Sequence, residues 1–331
     1  MARNNGRRAA KGATGASAGP DGEADRASNR GAPFAECDNG RREPRRCRRQ
    51  ARYAMIFTVL HETLYRYSVP VGLAQHVLRL EPRPGDCRLI ARELLIEPLP
   101  NLRSIETDAA GNQLVRVDFS GMATALSVVS RFTVETFAPP PLPIGPLPGL
   151  PWTPWADAAL AACLHEPQAD AGVADFAWGI AGRAGWEPIA FLDTLCHALH
   201  QRTDRHIRVD GDAQSPAHTL ATARGACRDV TVLFMAACRS LNIPARFVSG
   251  YQAQAETSEG LRFLHAWPEV HLPGIGWRGW DPTHGSRVGD DHVALCAAPS
   301  QAATMPVEGG FYANGVTATL DCRVEIATRS G

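Results

Sequence analysis

Residues 138–151 read Ala-Pro-Pro-Pro-Leu-Pro-Ile-Gly-Pro-Leu-Pro-Gly-Leu-Pro. Each proline removes a backbone N–H donor and fixes φ, so this run can be neither a helix nor a central strand. It stays stiff and extended, which makes it a linker and a natural domain boundary. The chain has 331 residues, 44% of them apolar and 21% charged, enough for a core on each side of that boundary.

Before the linker the pattern is that of short strands. Residues 75–81, 89–97, 114–119 and 126–135 are strand-like, with turn signals at 82–86, 98–101 and Ala110-Gly111-Asn112. Close spacing and partial alternation predict a small antiparallel β-sandwich over 55–137. Function does not follow from such a sandwich by itself.

Beyond the linker, residues 152–331 carry a different pattern. Residues 155–164, 171–182 and 188–203 predict helices. Another helix follows Arg224-Gly225-Ala226-Cys227-Arg228-Asp229, because Val230, Leu233, Phe234, Ala237, Cys238 and Leu241 recur with the spacing of one buried face. Gly225 permits a tight approach to it, and Asn242-Ile243-Pro244 ends it. Asp229 then falls in the first turn, where a carboxylate is worth ~0.3–1 kcal/mol, and Cys227 is at or near that turn. Further on, 262–272 and 277–281 flank the turn Pro273-Gly274-Ile275-Gly276, which predicts a hairpin. Pro268 within its first arm predicts an edge position or a local kink.

Cys227, His265 and Asp281 supply a nucleophile, a base and an orienter from three separate elements. A helix N-terminus stabilises the thiolate that thiol catalysis requires. An antiparallel hairpin brings His265 and Asp281 to one end, where Asp281 can hold one ring nitrogen while the other faces Cys227. Cys238, on the apolar face of the helix, reads instead as a small buried hydrophobe. Trp267, Trp277 and Trp280 read as core or cleft wall. Arg224 and Arg228 flank the thiol where an acidic substrate would pass, although arginines beside a helix start are commonplace.

The blocks 224–229, 236–251, 265–270 (His-Ala-Trp-Pro-Glu-Val) and 276–283 (Gly-Trp-Arg-Gly-Trp-Asp-Pro-Thr) together resemble the bacterial transglutaminase-like cysteine peptidase family. Residues 55–67 resemble the opening of the small all-β domain that precedes the catalytic domain in many such proteins. The resemblance implies an α+β fold, with a papain/transglutaminase-like catalytic domain over 152–331 preceded by an antiparallel β-sandwich. It also implies Cys227 as nucleophile, His265 as acid/base and Asp281 as orienter. The chemistry expected is acyl transfer on the amide bonds of a peptide or protein through a thioester, ending in hydrolysis. No acidic run surrounds the three residues to recruit a lysine amine, although a true transglutaminase shares the same first half-reaction. A binding or scaffold module with an idle triad is the reading from another class.

No metal or cofactor is expected. His197-x-x-His200 and His206 lack a carboxylate helper, and a Cys227, His265, His271 zinc site would leave Asp281 without a role. Asp210-Gly211-Asp212 lacks the spacing and closing glutamate of a calcium loop. The nine cysteines show no paired framework, no segment has the length of a spanning helix, and no secretory leader is evident, so a cytoplasmic protein with no membrane partner is expected. Residues 1–52 hold 13 basic and 6 acidic residues, a charge of +7 that the remaining chain offsets. Poor in large apolar side chains, residues 1–54 predict a disordered Arg/Gly/Ala-rich tail, unless translation truly starts at Met55. Only Phe34 interleaves the arginines up to position 49, so nucleic acid is not an expected partner.

Overall fold

The computed structural model describes residues 55–142, 145–153, 155–166, 170–208, 211–254 and 260–331; the expected tail (1–54) and Asp210 lie outside the described residues. Before the linker run β1 (Met55–Leu73), β2 (His76–Leu78), β3 (Cys87–Glu97), β4 (Leu102–Thr107), β5 (Gln113–Asp118) and β6 (Met122–Thr136). After it come α1 (Ala158–Ala162), α2 (Ala171–Arg183), α3 (Pro188–Arg202), β7 (Asp204–Arg205), α4 (Pro216–Thr222), β8 (Arg224–Gly225) and α5 (Cys227–Arg239). Then follow β9 (Ala245–Gln252), β10 (His265–Leu272), β11 (Gly276–Asp281), β12 (Ser286–Arg287) and β13 (His292–Ala298). Three further strands are β14 (Val307–Glu308), β15 (Phe311–Tyr312) and β16 (Ala318–Ser330).

The N-terminal strands form two antiparallel sheets, one ordered β15-β1-β6-β3 with β16 also on β1, the other β14-β2-β5-β4. Phe57, Val59, Val128 and Val134 of the first sheet share one core with Leu78, Val115 and Val117 of the second. In β1 the inward positions Phe57, Val59, His61 and Thr63 alternate with outward ones, which fixes the register. The expected boundary put residues 152–331 in the catalytic domain, but β16 lies in the N-terminal sheet, paired with β1 from Met55↔Ser330 to Tyr67↔Ala318. Leu320, Cys322, Val324 and Ile326 alternate as a strand requires, and their strand covers an edge of β1 that would otherwise be open to pairing. β4, absent from the strands expected, pairs with β5 along its length.

In the second half, α5 lies between the other helices and a five-stranded sheet ordered β12-β11-β10-β9-β13. Its expected face, Val230, Leu233, Phe234, Ala237 and Cys238, is buried in a core shared with Ile180, Leu195, Phe247 and Trp280. The linker is anchored to the end of this helix. Leu241 O accepts the Trp152 N–H at 3.1 Å, and the Asn242 amide donates to Trp152 O at 2.7 Å.

Two features join the halves. Tyr251 of β9, with Val293 and Leu295 of β13, is buried in the N-terminal core. Asn112, at the turn between β4 and β5, is also buried; its Oδ1 accepts the Ala297 N–H at 2.8 Å and its Nδ2 donates to Ala297 O at 2.9 Å. Among the described residues no helix is long and apolar enough to cross a membrane.

Candidate active site

Cys227 is the first residue of α5, with Ala226 as its N-cap. Alanine offers no capping oxygen, so the carboxylate of Asp229 satisfies the local amides. Its Oδ2 accepts the Ala226 N–H at 2.7 Å, and its Oδ1 accepts the Gln214 N–H at 2.7 Å and Arg208 Nη2 at 2.6 Å. Asp229 has no solvent exposure. A Cβ on Gly225 would stand 2.9 Å from Asp229 Cβ and 3.3 Å from Thr219 Cγ2, which explains the glycine. The expected placement of Asp229 in the first turn and of the tight approach at Gly225 is what the fold contains.

The predicted hairpin is β10 and β11, paired antiparallel from Glu269↔Gly279 to Leu272↔Gly276. At its open end His265 Nε2 lies 2.8 Å from Asp281 Oδ2, and both residues are buried. Pro268 pairs with Phe247 of β9, while the ladder to β11 begins only at Glu269. Pro268 therefore sits at a local edge of a strand that is central elsewhere.

Asp281 gathers more donors than sequence reasoning assigned it. Oδ2 also lies 2.7 Å from His284 Nδ1 and 3.1 Å from His292 Nε2, while Oδ1 accepts the Thr283 and His284 N–H groups at 2.9 and 3.3 Å. Burial opposes its charge, but the His265 imidazole and the hydrogen bonds from His284 and His292 outweigh it and hold the carboxyl well below the usual carboxylate range. Burial likewise opposes a charged His265, yet Asp281 and then the Cys227 thiol raise it well above the usual histidine range. His265 Nδ1, the nitrogen away from Asp281, is buried without a hydrogen bond of standard geometry. Cys227 is thus among the groups that raise the ring, and both residues line the same cleft.

His284 and His292 are the residues that sequence reasoning missed as partners of Asp281. The available signal was weak: His284 stands three residues after Asp281, and His292 follows two aspartates at the head of the apolar run 293–298.

Cys227 and His265 line one cleft of about 830 Å³. Its opposite wall comes from the N-terminal sheet, through His61, Thr63 and Tyr65 of β1 and Leu320 and Cys322 of β16. Arg228 lines the cleft and donates to Arg208 O at 2.7 Å, whereas Arg224 pairs with Asp204 at the surface, outside the cleft lining. Trp267 and Trp280 are buried, and the Trp267 ring packs edge-on at 5.1 Å from that of His292. Trp277 stacks under the Arg246 guanidinium at 4.1 Å.

Nothing brings His271 to Cys227 and His265. It lies six positions along β10 from His265, about 20 Å at strand rise, against the rings of Trp155 and Trp277. His197 contacts Gln201, and His200 contacts Thr283 O at 2.9 Å. Among the described residues, the potential ligand atoms that lie within 4.8 Å of one another belong to His265, Asp281 and His284. There both imidazoles already point a nitrogen at Asp281 Oδ2, so these atoms serve each other.

Residues 57–135 match the bacterial transglutaminase-like N-terminal region, and residues 189–282, which span α3 through Asp281, match the transglutaminase-like superfamily. The chain thus carries a transglutaminase-like core preceded by a bacterial transglutaminase-like N-terminal region. It is 26% identical over 304 residues to an uncharacterized protein of Mycobacterium tuberculosis, covering 83% of this chain and 93% of that protein. An uncharacterized protein of Mycobacterium leprae is 26% identical over 279 residues, covering 81% and 97%. Among solved structures, a candidate cysteine protease from Cytophaga hutchinsonii superposes with a TM-score of 0.61 at 18% identity, over 83% of this chain and 91% of that one, and so shares the fold. The transglutaminase-like core and its preceding β-rich region are thus those expected from the sequence.

Proposed function

We propose that the protein catalyses cysteine-dependent acyl transfer on the amide bonds of a peptide or protein, ending in hydrolysis. The observation that carries this reading is the division of the His265 ring. Asp281 takes Nε2 at 2.8 Å, Nδ1 is left without a hydrogen bond of standard geometry, and Cys227 lines the same cleft as His265. In the forward half-reaction the Cys227 thiolate attacks the amide carbonyl carbon, forming the C–S bond, and Nδ1–H of His265 gives its proton to the departing amine as the C–N bond breaks. Water then attacks the thioester, His265 Nδ1 takes its proton, and the Cys227 sulfur leaves. Asp281 keeps the proton on Nε2, so Nδ1 is free to cycle. The Cys227 N–H, one of the first-turn amides with no intrahelical acceptor, is the oxyanion donor.

Hydrolysis is favoured over transfer to an amine by the charge of the cleft. Among the described residues its charged lining is Arg205, Arg208 and Arg228 against Asp212, a poor environment for recruiting a lysine ammonium. The reading places the enzyme in a reducing compartment such as the cytoplasm, where Cys227 stays a thiol. The test is to trap the Cys227 acyl-enzyme from a peptide library, identify the acyl group by mass spectrometry, and then offer a labelled primary amine. Hydrolysed product with negligible label is expected. Dominant label at modest amine concentration would make the protein a transglutaminase, and no acyl-enzyme from any amide would leave a binding module with an idle triad.

A further inference from the structure

His292 carries no role in the mechanism above, yet its ring lies between two carboxylates. Nε2 is 3.1 Å from Asp281 Oδ2, and Nδ1 is 2.7 Å from Asp291 Oδ1. A neutral imidazole has one N–H and a charged one has two, so a ring with a carboxylate oxygen at each nitrogen donates to both only as an imidazolium. The side chain is 3% exposed, so water does not replace either partner.

We infer that His292 is a positioning residue, charged in the resting protein, that sets how much of the Asp281 charge reaches His265. The inference rests on His265 being the acid/base of Cys227.

The surroundings of His292 bear this out group by group. From β11 it meets Asp281, from the segment before β13 it meets Asp291, and from β10 it meets the His265 ring at 6.3 Å and the uncharged Trp267. Its register partner on β9 is the uncharged Gln252, and His284 approaches the same Asp281 oxygen. Two anions therefore face it. Burial alone would discharge the ring, but the hydrogen bonds it donates to Asp281 and Asp291 raise its proton affinity above the ordinary histidine value. The result is a buried row of alternating charge, Asp291, His292, Asp281 and then His265. Because Asp281 is shared with one cation, it pulls less strongly on the proton of His265 than a lone carboxylate would. A catalytic imidazole that must release its proton each turnover gains from that restraint.

The test uses the full chain with 15N- and 13C-labelled histidine. In the wild type, the ring nitrogens of His292 are expected to show the imidazolium pattern at pH 7; a neutral ring there overturns the inference without any variant. In His292→Gln, which can still donate to Asp281 but carries no charge, the His265 ring should titrate at a pH higher by about half a unit or more. A His265 midpoint that does not move, in a variant whose melting shows it folded, overturns the inference. Alkylation of Cys227 across pH in the wild type reports on the underlying reading separately. If Cys227 is no more reactive than a buried thiol at any pH, the catalytic assignment fails, while the histidine shifts still decide the charge of His292.

Discussion

His265 and Asp281 begin and end one hairpin, and their side chains meet at its open end with 2.8 Å between Nε2 and Oδ2. Sixteen residues apart in the chain, both stand on strands of a sheet whose other face carries α5. The pair is therefore held by backbone ladders rather than by a loop, which keeps the orientation that the proposed proton transfer requires.

If Asp281 orients the imidazole by its charge, Asp281→Asn should lower kcat by roughly 10²–10⁴-fold with little change in KM, because the amide can place an NH₂ where three imidazoles seek an acceptor. Cys227→Ala and His265→Ala should each abolish turnover. Steady-state kinetics on the trapped substrate, with melting curves to certify folding, make the comparison. Near-normal kcat in folded Asp281→Asn would show that the orienter lies elsewhere.

Cys227 and Cys238 share α5 and should differ sharply toward iodoacetamide. Burial pushes the Cys238 thiol well above the usual range and leaves it no solvent exposure, while Cys227 opens onto the cleft. Mass spectrometry of briefly alkylated native protein is expected to find Cys227 modified at least ten times faster, with the difference erased in guanidinium, where both thiols are exposed; that factor is on the order of what closing off one thiol from solvent produces. Equal rates in the native state would contradict the assignment.

Asp229 ties the start of α5 to Gln214, Ala226 and Arg208. Asp229→Ala would leave one buried amide, one part-buried amide and a guanidinium each with an acceptor fewer, a loss of about 3 kcal/mol or more. Urea unfolding should show it. Because the same amides frame the thiol, kcat should fall as well in any variant that still folds. A loss under ~0.5 kcal/mol would mean that water or another group replaces the carboxylate.

Stability should fall on both sides of about pH 6.5, the ordinary histidine value, for two separate reasons. Burial brings His61 down to about 4, so between there and 6.5 the unfolded chain binds a proton that the folded one does not, and stability drops by ~3 kcal/mol as pH falls through that window. His265 is raised, so its contribution is complete below about 6.5 and is lost as pH rises through its folded value. Denaturation midpoints measured against pH should show both slopes, and His61→Gln should flatten the acid one alone. An acid slope unchanged in that variant would assign it to other groups.

How much of this was readable follows from how local each signal is. The buried face of α5 repeats within thirteen residues, and the turn Pro273-Gly274-Ile275-Gly276 marks its hairpin directly, so Cys227, His265 and Asp281 were legible as residues to be brought together. α4 escaped because seven residues opening Ser215-Pro216 carry too short a period to register. The role of His292 escaped for a topological reason. β13 does not take its place beside β12 but crosses to the far edge next to β9, three strands from β11, and nothing local in the sequence shows that its first residue reaches Asp281. β16 alternates legibly, but its partner is the first described strand, and nothing local in a sequence names a partner that remote.

That remote pairing orders events during synthesis. α5 and β9 through β13, with Cys227, His265 and Asp281 among them, have all been translated once residue 298 is added, whereas Leu320 and Cys322 of the facing wall come later, on β16. The strand that lines the cleft across from the thiol is thus the same one that covers the outer edge of β1, and neither the chamber wall nor the first sheet is complete until residues 318–330 have been added.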